Sequence, residues 1–398
     1  MPTIFLDHQS TTPLLPEALE AMQPWLGEKF GNASSLHQLG LEAREALDRA
    51  RIQVAALLGA DEPDEIFFTA SGTESCNWAL KGVAWGNQRR GNHMIISATE
   101  HFAVLQAAEW LATQGFCVTK LPVDSHGLVS PDDVRRAITD KTIIISIHHV
   151  NHEIGTIQLL AEIGRIAAEH GIAFHTDAVA SAGWVPIDVR EFGVNLLSIA
   201  PHRFYGPKGV GVLWRNRNVK LAPLLHGGFQ ERGQRSGTED VAAIVGAGVA
   251  AEIAARELSS RSKTVARLRK KLADGIVNQI DHVRLNEQPG TSAPHLLNVS
   301  VEFIEGEAMV LSLDIKGICV ASGSACVSKA QKLSHVLTAI GCPADLAQGS
   351  VLFSLGKDNT DAEIETALDV FPKVVERLRG MSATWAEFQR GEITAKAV

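Results

Sequence analysis

Cysteine is scarce in this 398-residue chain, and the five present, Cys76, Cys117, Cys319, Cys326 and Cys342, include no CxxC pair. An odd, scattered set makes no disulfide framework, and without a paired motif a structural zinc site is not expected. No apolar run approaches the roughly 20 residues that a membrane-spanning helix needs. The opening Met1-Pro2-Thr3-Ile4-Phe5-Leu6-Asp7 has no basic segment ahead of an apolar one. A secretory leader is therefore not expected, and the cytoplasm is the expected compartment. Basic charge is in deficit: 37 Lys plus Arg against 45 Asp plus Glu leaves −8. With no basic block either, direct nucleic-acid binding and membrane-surface binding are not expected. Internal repeats and low-complexity segments are missing too. What is there is 45% hydrophobic and 21% charged. That composition builds a sizeable core, and the length suits one large domain plus a smaller one.

Short continuous apolar runs alternate with amphipathic helical stretches. The runs are 65–69, 94–97, 142–146, 172–176 and 195–199, with helical patterns such as Val104 to Gln114 and Ala161 to His170 between them. This alternation predicts βαβ units and a mostly parallel, buried sheet. Sites in such folds gather at the carboxyl ends of strands, so the residues just after each run carry the interest. From about Val241 the pattern changes to a long helical stretch reaching about Asp281. Strand candidates follow at Leu296–Val301 and 350–354. This part reads as a smaller α+β domain completed by the N-terminal segment. The polar tail from Gly391 is expected to fray.

Five segments could carry chemistry, and each also has a plainer reading. Ser71-Gly72-Thr73-Glu74-Ser75 opens a helix after the first run, as a phosphate cradle centred on Thr73 or as an ordinary helix cap. Asp177 ends another run, where it can pair with a protonated ring nitrogen or cap a helix. His101, in Thr99-Glu100-His101, can stack on a ring or move protons, or be a polar loop histidine. Ala200-Pro201-His202-Arg203-Phe204-Tyr205-Gly206-Pro207-Lys208-Gly209 is a shaped loop whose cations suit phosphate or carboxylate, or simply a turn joining strands. The small-residue loop Ser322-Gly323-Ser324-Ala325-Cys326 suits a thiol that must be reached, or a buried cysteine in a turn. Cys76, Cys117 and Cys319 read as core.

Together these segments resemble the Nif/Isc-type (group I) cysteine desulfurases of the class V aminotransferase group. The likeness also runs through Phe5-Leu6-Asp7-His8, Gly31-Asn32-Ala33-Ser34-Ser35, His149-Val150-Asn151 with Glu153-Ile154-Gly155, and Arg235-Ser236-Gly237-Thr238. It implies an α/β fold-type I transferase dependent on pyridoxal phosphate (PLP), with a large domain at 14–255. A smaller α+β domain would take 1–13 and 256–390, with a tail at 391–398. It implies that Cys326 attacks the sulfur of a cofactor-bound cysteine, leaving a persulfide and alanine. His101 would stack on the cofactor ring, Asp177 would pair with its nitrogen, and Asn151 would face its hydroxyl. Thr73 and His202 would hold its phosphate. Thr238 would reach the phosphate of the partner subunit in a homodimer. An iron–sulfur scaffold or other sulfur acceptor would be the protein partner.

The departures from that pattern change the expectation. Where the resemblance implies the lysine that bonds PLP as a Schiff base, the chain has Arg203. Arginine stays protonated, with a pKa above about 12, and offers no free amine to an aldehyde. Ala200 replaces a phosphate-binding serine, Ala180 a glutamine, and Leu352 the arginine that would clamp the substrate carboxylate. Lys208 belongs to a Gly-Pro-Lys-Gly turn that the family has beside its catalytic lysine, so it is not expected to substitute. Three functions follow. The first is a desulfurase homologue degenerate for standard turnover, with Cys326 kept for sulfur handling, partner binding or ligation of an iron–sulfur cluster. One loop cysteine does not by itself make a cluster site. The second is an enzyme holding PLP non-covalently, or through another amine, for a substrate without a carboxylate at the Leu352 wall. The third is an ordinary desulfurase.

Overall fold

The computed structural model describes residues 3–288, 290–322 and 333–396. Cys326 lies outside the described residues. Seven strands form the main sheet: β1 (Ile66–Thr69), β2 (His93–Ser97), β3 (Cys117–Leu121), β4 (Thr142–Ser146), β5 (Ala173–Asp177), β6 (Leu196–Ile199) and β7 (Gly211–Arg215). Their spatial order is β1-β7-β6-β5-β4-β2-β3. Pairings are parallel from β6 to β3, whereas β7 runs antiparallel to both β6 and β1. β1, β2, β4 and β6 are buried along their whole length. Helices on both faces shield such strands from water, which is why they read as unbroken apolar runs.

The helices Gln38–Leu58 and Val241–Gln279 pack against one another. A Cβ at Gly248 would lie 2.7 Å from Cα of Ala50, so only glycine permits this approach. The second helix is continuous for 39 residues and carries the chain across positions 255 and 256. Beyond it, β8 (Val283–Leu285), β9 (Leu296–Val301) and β10 (Ser350–Ser354) form an antiparallel sheet in the order β10-β9-β8. The N-terminal segment joins this side. Ile4–Phe5 pairs in parallel with Ile318–Cys319, and Asp7 bridges to Ser354.

One expectation is corrected. Cys117 belongs to a strand but is exposed, because β3 is the edge of the sheet, and Cys319 is only half-buried; Cys76 is buried as expected. The tail, as far as it is described, has partners. The backbone N–H of Lys396 donates to Glu302 Oε1 at 2.7 Å, and its ammonium meets Asp345 at 2.6 Å. No helix among the described residues is long and apolar enough to cross a membrane.

Candidate functional site

Segments leaving the carboxyl ends of β1, β2, β4, β5 and β6 enclose a cavity of about 100 Å³. It collects Thr73, His101, Asp177, Ala180, Ala200, His202 and Arg203 from the sequence reading. His148, His152, Val179 and Gln9, which that reading did not single out, complete much of the wall.

One end suits an anion. The helix Gly72–Gly86 starts here, and Ser71 caps it by accepting the Glu74 N–H at 3.1 Å. Glu74 in turn accepts the Ala70 N–H at 2.7 Å and binds Arg235 at 2.9 and 3.1 Å. Both readings of this motif therefore hold: Ser71 is the cap, and Thr73 stays exposed in the cavity wall. The helix dipole and first-turn N–H groups favour negative charge there. A Cβ on Gly72 would lie 2.8 Å from Val179 Cγ2, so the wall closes only around a glycine. His202 adds an Nδ1 with no hydrogen-bond partner. Burial, with help from Arg203 and Lys208, pushes its pKa down to about 4.

The loop carrying His202 and Arg203 is fixed by its backbone. Thr12 Oγ1 donates to the His202 carbonyl at 2.9 Å and accepts the Tyr205 N–H at 2.7 Å. The Trp184 indole donates to the Arg203 carbonyl at 3.0 Å. Tyr205 takes φ 72°, a conformation that costs energy for a bulky side chain and persists because these contacts over-determine it. Lys208 is exposed and outside the cavity wall.

The middle of the cavity is lined by Asp177 and imidazoles. Asp177 Oδ1 accepts the Val179 N–H at 3.0 Å, capping a turn rather than a helix. Behind it, His175 is locked between Ser146 and Ser198 at 2.8 and 2.9 Å. His101 caps the helix Phe102–Thr113, its Nδ1 accepting the Ala103 N–H at 3.1 Å. The neutral ring therefore carries its proton on Nε2. Burial lowers its pKa, with Asp177 opposing and Arg203 reinforcing the shift. His152 stands 5.1 Å from the His101 ring and stacks on His335 at 6.1 Å. Burial, then the neighbouring His101 and His335, holds its pKa well below the ordinary value. His148 Nδ1 meets Glu100 Oε1 at 3.1 Å. Glu100 is buried, which raises its pKa against the pull of His148.

Other expected residues lie elsewhere. Asn151 is fully buried and does not line the cavity. Its Oδ1 accepts the N–H groups of Glu153 and Ile154 at 2.9 and 3.0 Å, and its Nδ2 donates to the Thr99 carbonyl at 3.0 Å. Thr238 is exposed beside a separate cavity of about 210 Å³ shared with Glu231 and Arg235. Leu352 packs with Val150, Ala180, Val185, Ala293 and Leu296 in an apolar cluster that continues inward from the cavity wall. Its backbone exchanges two hydrogen bonds with Ala321, at 3.1 and 2.8 Å. Among the described residues no group of three or more His, Cys, Asp or Glu is placed to hold a metal ion.

Parallel strands thus feed a cavity at their carboxyl ends, with a helix start at one end and an aspartate in the middle. The chain belongs to the class-V aminotransferase family, whose model matches residues 4–367. It is 48% identical to the cysteine desulfurase IscS of Methanosarcina thermophila, over 95% of this chain and 93% of that one. To the cysteine desulfurase IscS of Dictyoglomus turgidum it is 46% identical, over 95% and 96%. Among solved structures, a NifS-like protein superposes with a TM-score of 0.89 at 37% identity, covering 94% of this chain and all 100% of that one. SspA, solved in complex with cysteine, gives 0.79 at 35%, covering 90% and 100%.

The PLP that the resemblance implies asks for three things: an anion cradle, a carboxylate for the pyridinium N–H, and an amine for covalent attachment. Thr73, the helix start and the unpartnered His202 nitrogen fit the first. Asp177 fits the second, since only its Oδ1 is engaged by the turn. The third is not met within the cavity wall, where no lysine lines the space among the described residues and Arg203 is the cation beside His202.

Proposed function

We propose that the chain is a cysteine desulfurase homologue that retains the cofactor-shaped cavity but does not perform standard desulfuration. The observation that carries this reading is the placement of Arg203 in the cavity wall, with Lys208 exposed outside it. When bound, PLP supplies an electron sink for bond cleavage on an amino-acid substrate. In this chain Thr73 and His202 would hold its phosphate, Asp177 would hold the ring N–H, and His101 would lie against the ring. Arg203 supplies positive charge but no nucleophilic amine. It is also a poor proton carrier near neutral pH, because it does not give up its proton.

Cys326 is the residue through which the protein works, carrying sulfur to an acceptor or iron–sulfur scaffold, or serving as a thiolate ligand. The working unit is a homodimer in the cytoplasm, in which Thr238 of one protomer approaches the phosphate site of the other. Leu26, Phe30, Leu36 and Phe229 are 68%, 76%, 86% and 92% exposed, which suits burial against a second copy. A second reading, a PLP enzyme for a substrate without a carboxylate, is favoured by one observation, the closed apolar surroundings of Leu352.

The test is release of alanine and sulfide from L-cysteine by the PLP-supplemented protein. No turnover is expected from the native chain. Steady release of both products overturns the reading. Turnover gained by Arg203→Lys would identify Arg203 as the main block. Its absence in a folded, PLP-binding variant would implicate Ala180, Ala200 and Leu352 as well.

A further inference from the structure

Two buried aromatic rings support the loop that brings His202 and Arg203 into the cavity wall. The Trp184 indole donates to the Arg203 carbonyl, and Tyr205, at φ 72°, is the strained residue of the loop itself. One cation lies over both rings. The guanidinium carbon of Arg261, on the helix Val241–Gln279, stands 5.2 Å from the Tyr205 ring and 5.7 Å from that of Trp184. Arg261 is only 4% exposed, and its Nε and Nη1 have no hydrogen-bond partner among the described residues. Its Nη2 donates to Glu257 Oε2 at 3.0 Å. A residue that merely filled this space would be apolar, because buried N–H groups without acceptors are costly. What the position offers a cation is two ring faces, and desolvation strengthens that attraction. The other charges nearby are more exposed: Glu257, and Lys357, which pairs with Asp358 at 3.1 Å. Lys357 Nζ adds a second cation 5.5 Å from the Tyr205 ring, and its backbone N–H donates to the Tyr205 hydroxyl at 2.6 Å. Next to Arg261, Ser262 Oγ donates to the Trp184 carbonyl. Consecutive residues of one helix thus grip Trp184 by its ring and by its backbone.

We propose that Arg261 is a positioning residue for the cavity: its charge on Trp184 and Tyr205 holds the strained turn at 202–205, and so keeps His202 and Arg203 in the wall. Arg261 does not itself line that cavity. It acts through the two rings, from a helix that otherwise packs against the rest of the fold. A strained backbone persists only while its surroundings over-determine it, so removing the cation lets the turn relax. In its relaxed form the loop no longer presents the anion end, and a ligand binds only the fraction of molecules that still does. The consequence for a ligand rests on the cofactor-cavity reading above; the consequence for the turn does not.

Amide hydrogen exchange of the full-length protein, read by mass spectrometry, tests it together with PLP binding by dialysis. The amides of Arg203, Phe204, Tyr205 and Gly206 are all hydrogen-bonded, so opening of the turn is visible in the peptide that covers them. In Arg261→Met that peptide should exchange about tenfold faster or more, up to the roughly 30-fold that a desolvated cation–π contact is worth. Peptides from β2 and β3, at the far side of the sheet, should be unchanged. PLP should bind about fivefold weaker or more. Arg261→Lys, which keeps the charge, should restore both readouts to within about threefold of the native protein. Should the methionine variant fail to fold, Arg261→Gln, which can still bond Glu257 but carries no charge, makes the same comparison. Exchange that rises equally throughout the protein, or not at all in the turn, overturns the proposal. So does a lysine variant as loose in the turn as the neutral one, because shape and not charge would then be at work. A turn that opens while PLP affinity stays unchanged also overturns it, leaving Arg261 a support of the fold alone. If the native protein binds no PLP, the cofactor reading fails by itself, and the exchange of the turn still decides what Arg261 does.

Discussion

At one end of the cavity Thr73, a helix start and His202 present polar groups to the space; at the other, Val150 and Ala180 give way to an apolar cluster with Leu352, Leu296 and Ala293. The polar end is built on loops leaving the parallel sheet, whereas the apolar end draws Leu296 and Leu352 from strands β9 and β10 of the antiparallel one. They differ in what was kept. The polar end still has the chemistry of an anion cradle, and its glycine at position 72 is required by a wall only 2.8 Å from where a Cβ would stand. At the apolar end the backbone is tied by the Ala321–Leu352 bridge. On the proposed reading, holding a phosphorylated cofactor and orienting an amino-acid substrate are separable functions of one cavity.

The contrast can be broken most forcefully at the apolar end. Leu352→Arg places an unpaired charge where the native side chain is 4% exposed. It should cost about 3 kcal/mol or more of stability in chemical denaturation. A variant as stable as the native protein would mean that the cluster is open to water.

A comparable effect belongs to Glu153, which shapes the buried turn between the cavity and Ser334. Ser334 Oγ donates to Glu153 Oε2 at 2.5 Å, and burial raises the carboxyl pKa from its ordinary 4.5 to about 8. Between these values the unfolded chain has lost the proton while the native state keeps it. Stability therefore falls as pH rises through this window, by about 1.4 kcal/mol per unit, and levels off above pH 8. Glu153→Gln should remove this slope, which unfolding curves at pH 5, 6, 7 and 8 would reveal. An unchanged slope would place the carboxylate in contact with water.

At the polar end the effects fall on binding. Asp177→Ala should weaken PLP by about 10- to 100-fold through loss of a charge-assisted bond, measured by dialysis. Thr73→Val should weaken it by about fivefold, as loss of one neutral hydrogen bond does. Equal affinities in both variants and the native protein would show that the ligand sits elsewhere.

Much of this was legible in the sequence because fully buried parallel strands must be apolar throughout. The run 94–97 lies within β2, 142–146 matches β4, 195–199 starts one residue ahead of β6, and Leu296–Val301 coincides with β9. β7 was not foreseen, since Gly211-Val212-Leu213-Trp214-Arg215 follows directly on a glycine-rich loop and makes no run distinct from it. Cys117 was misjudged because strand propensity does not say whether a strand lies at the edge. The helix start and its Ser71 cap were legible from Ser71 to Ser75. The turn that Asn151 holds was not legible, because an amide that serves a cofactor and one that serves a turn look alike in sequence. His148 and His152 escaped notice because their meeting with His101 and Glu100 depends on two separate strand ends coming together. Their position just beyond β4 was the available signal.

The central claim is that this cavity holds its ligand without a covalent bond. The most direct test is intact-protein and peptide mass spectrometry after adding one equivalent of PLP per chain and reducing with borohydride. With binding established in parallel by dialysis, the account predicts no stoichiometric adduct on any lysine. A single lysine carrying the reduced cofactor in near-full yield, Lys208 or any other, would contradict it.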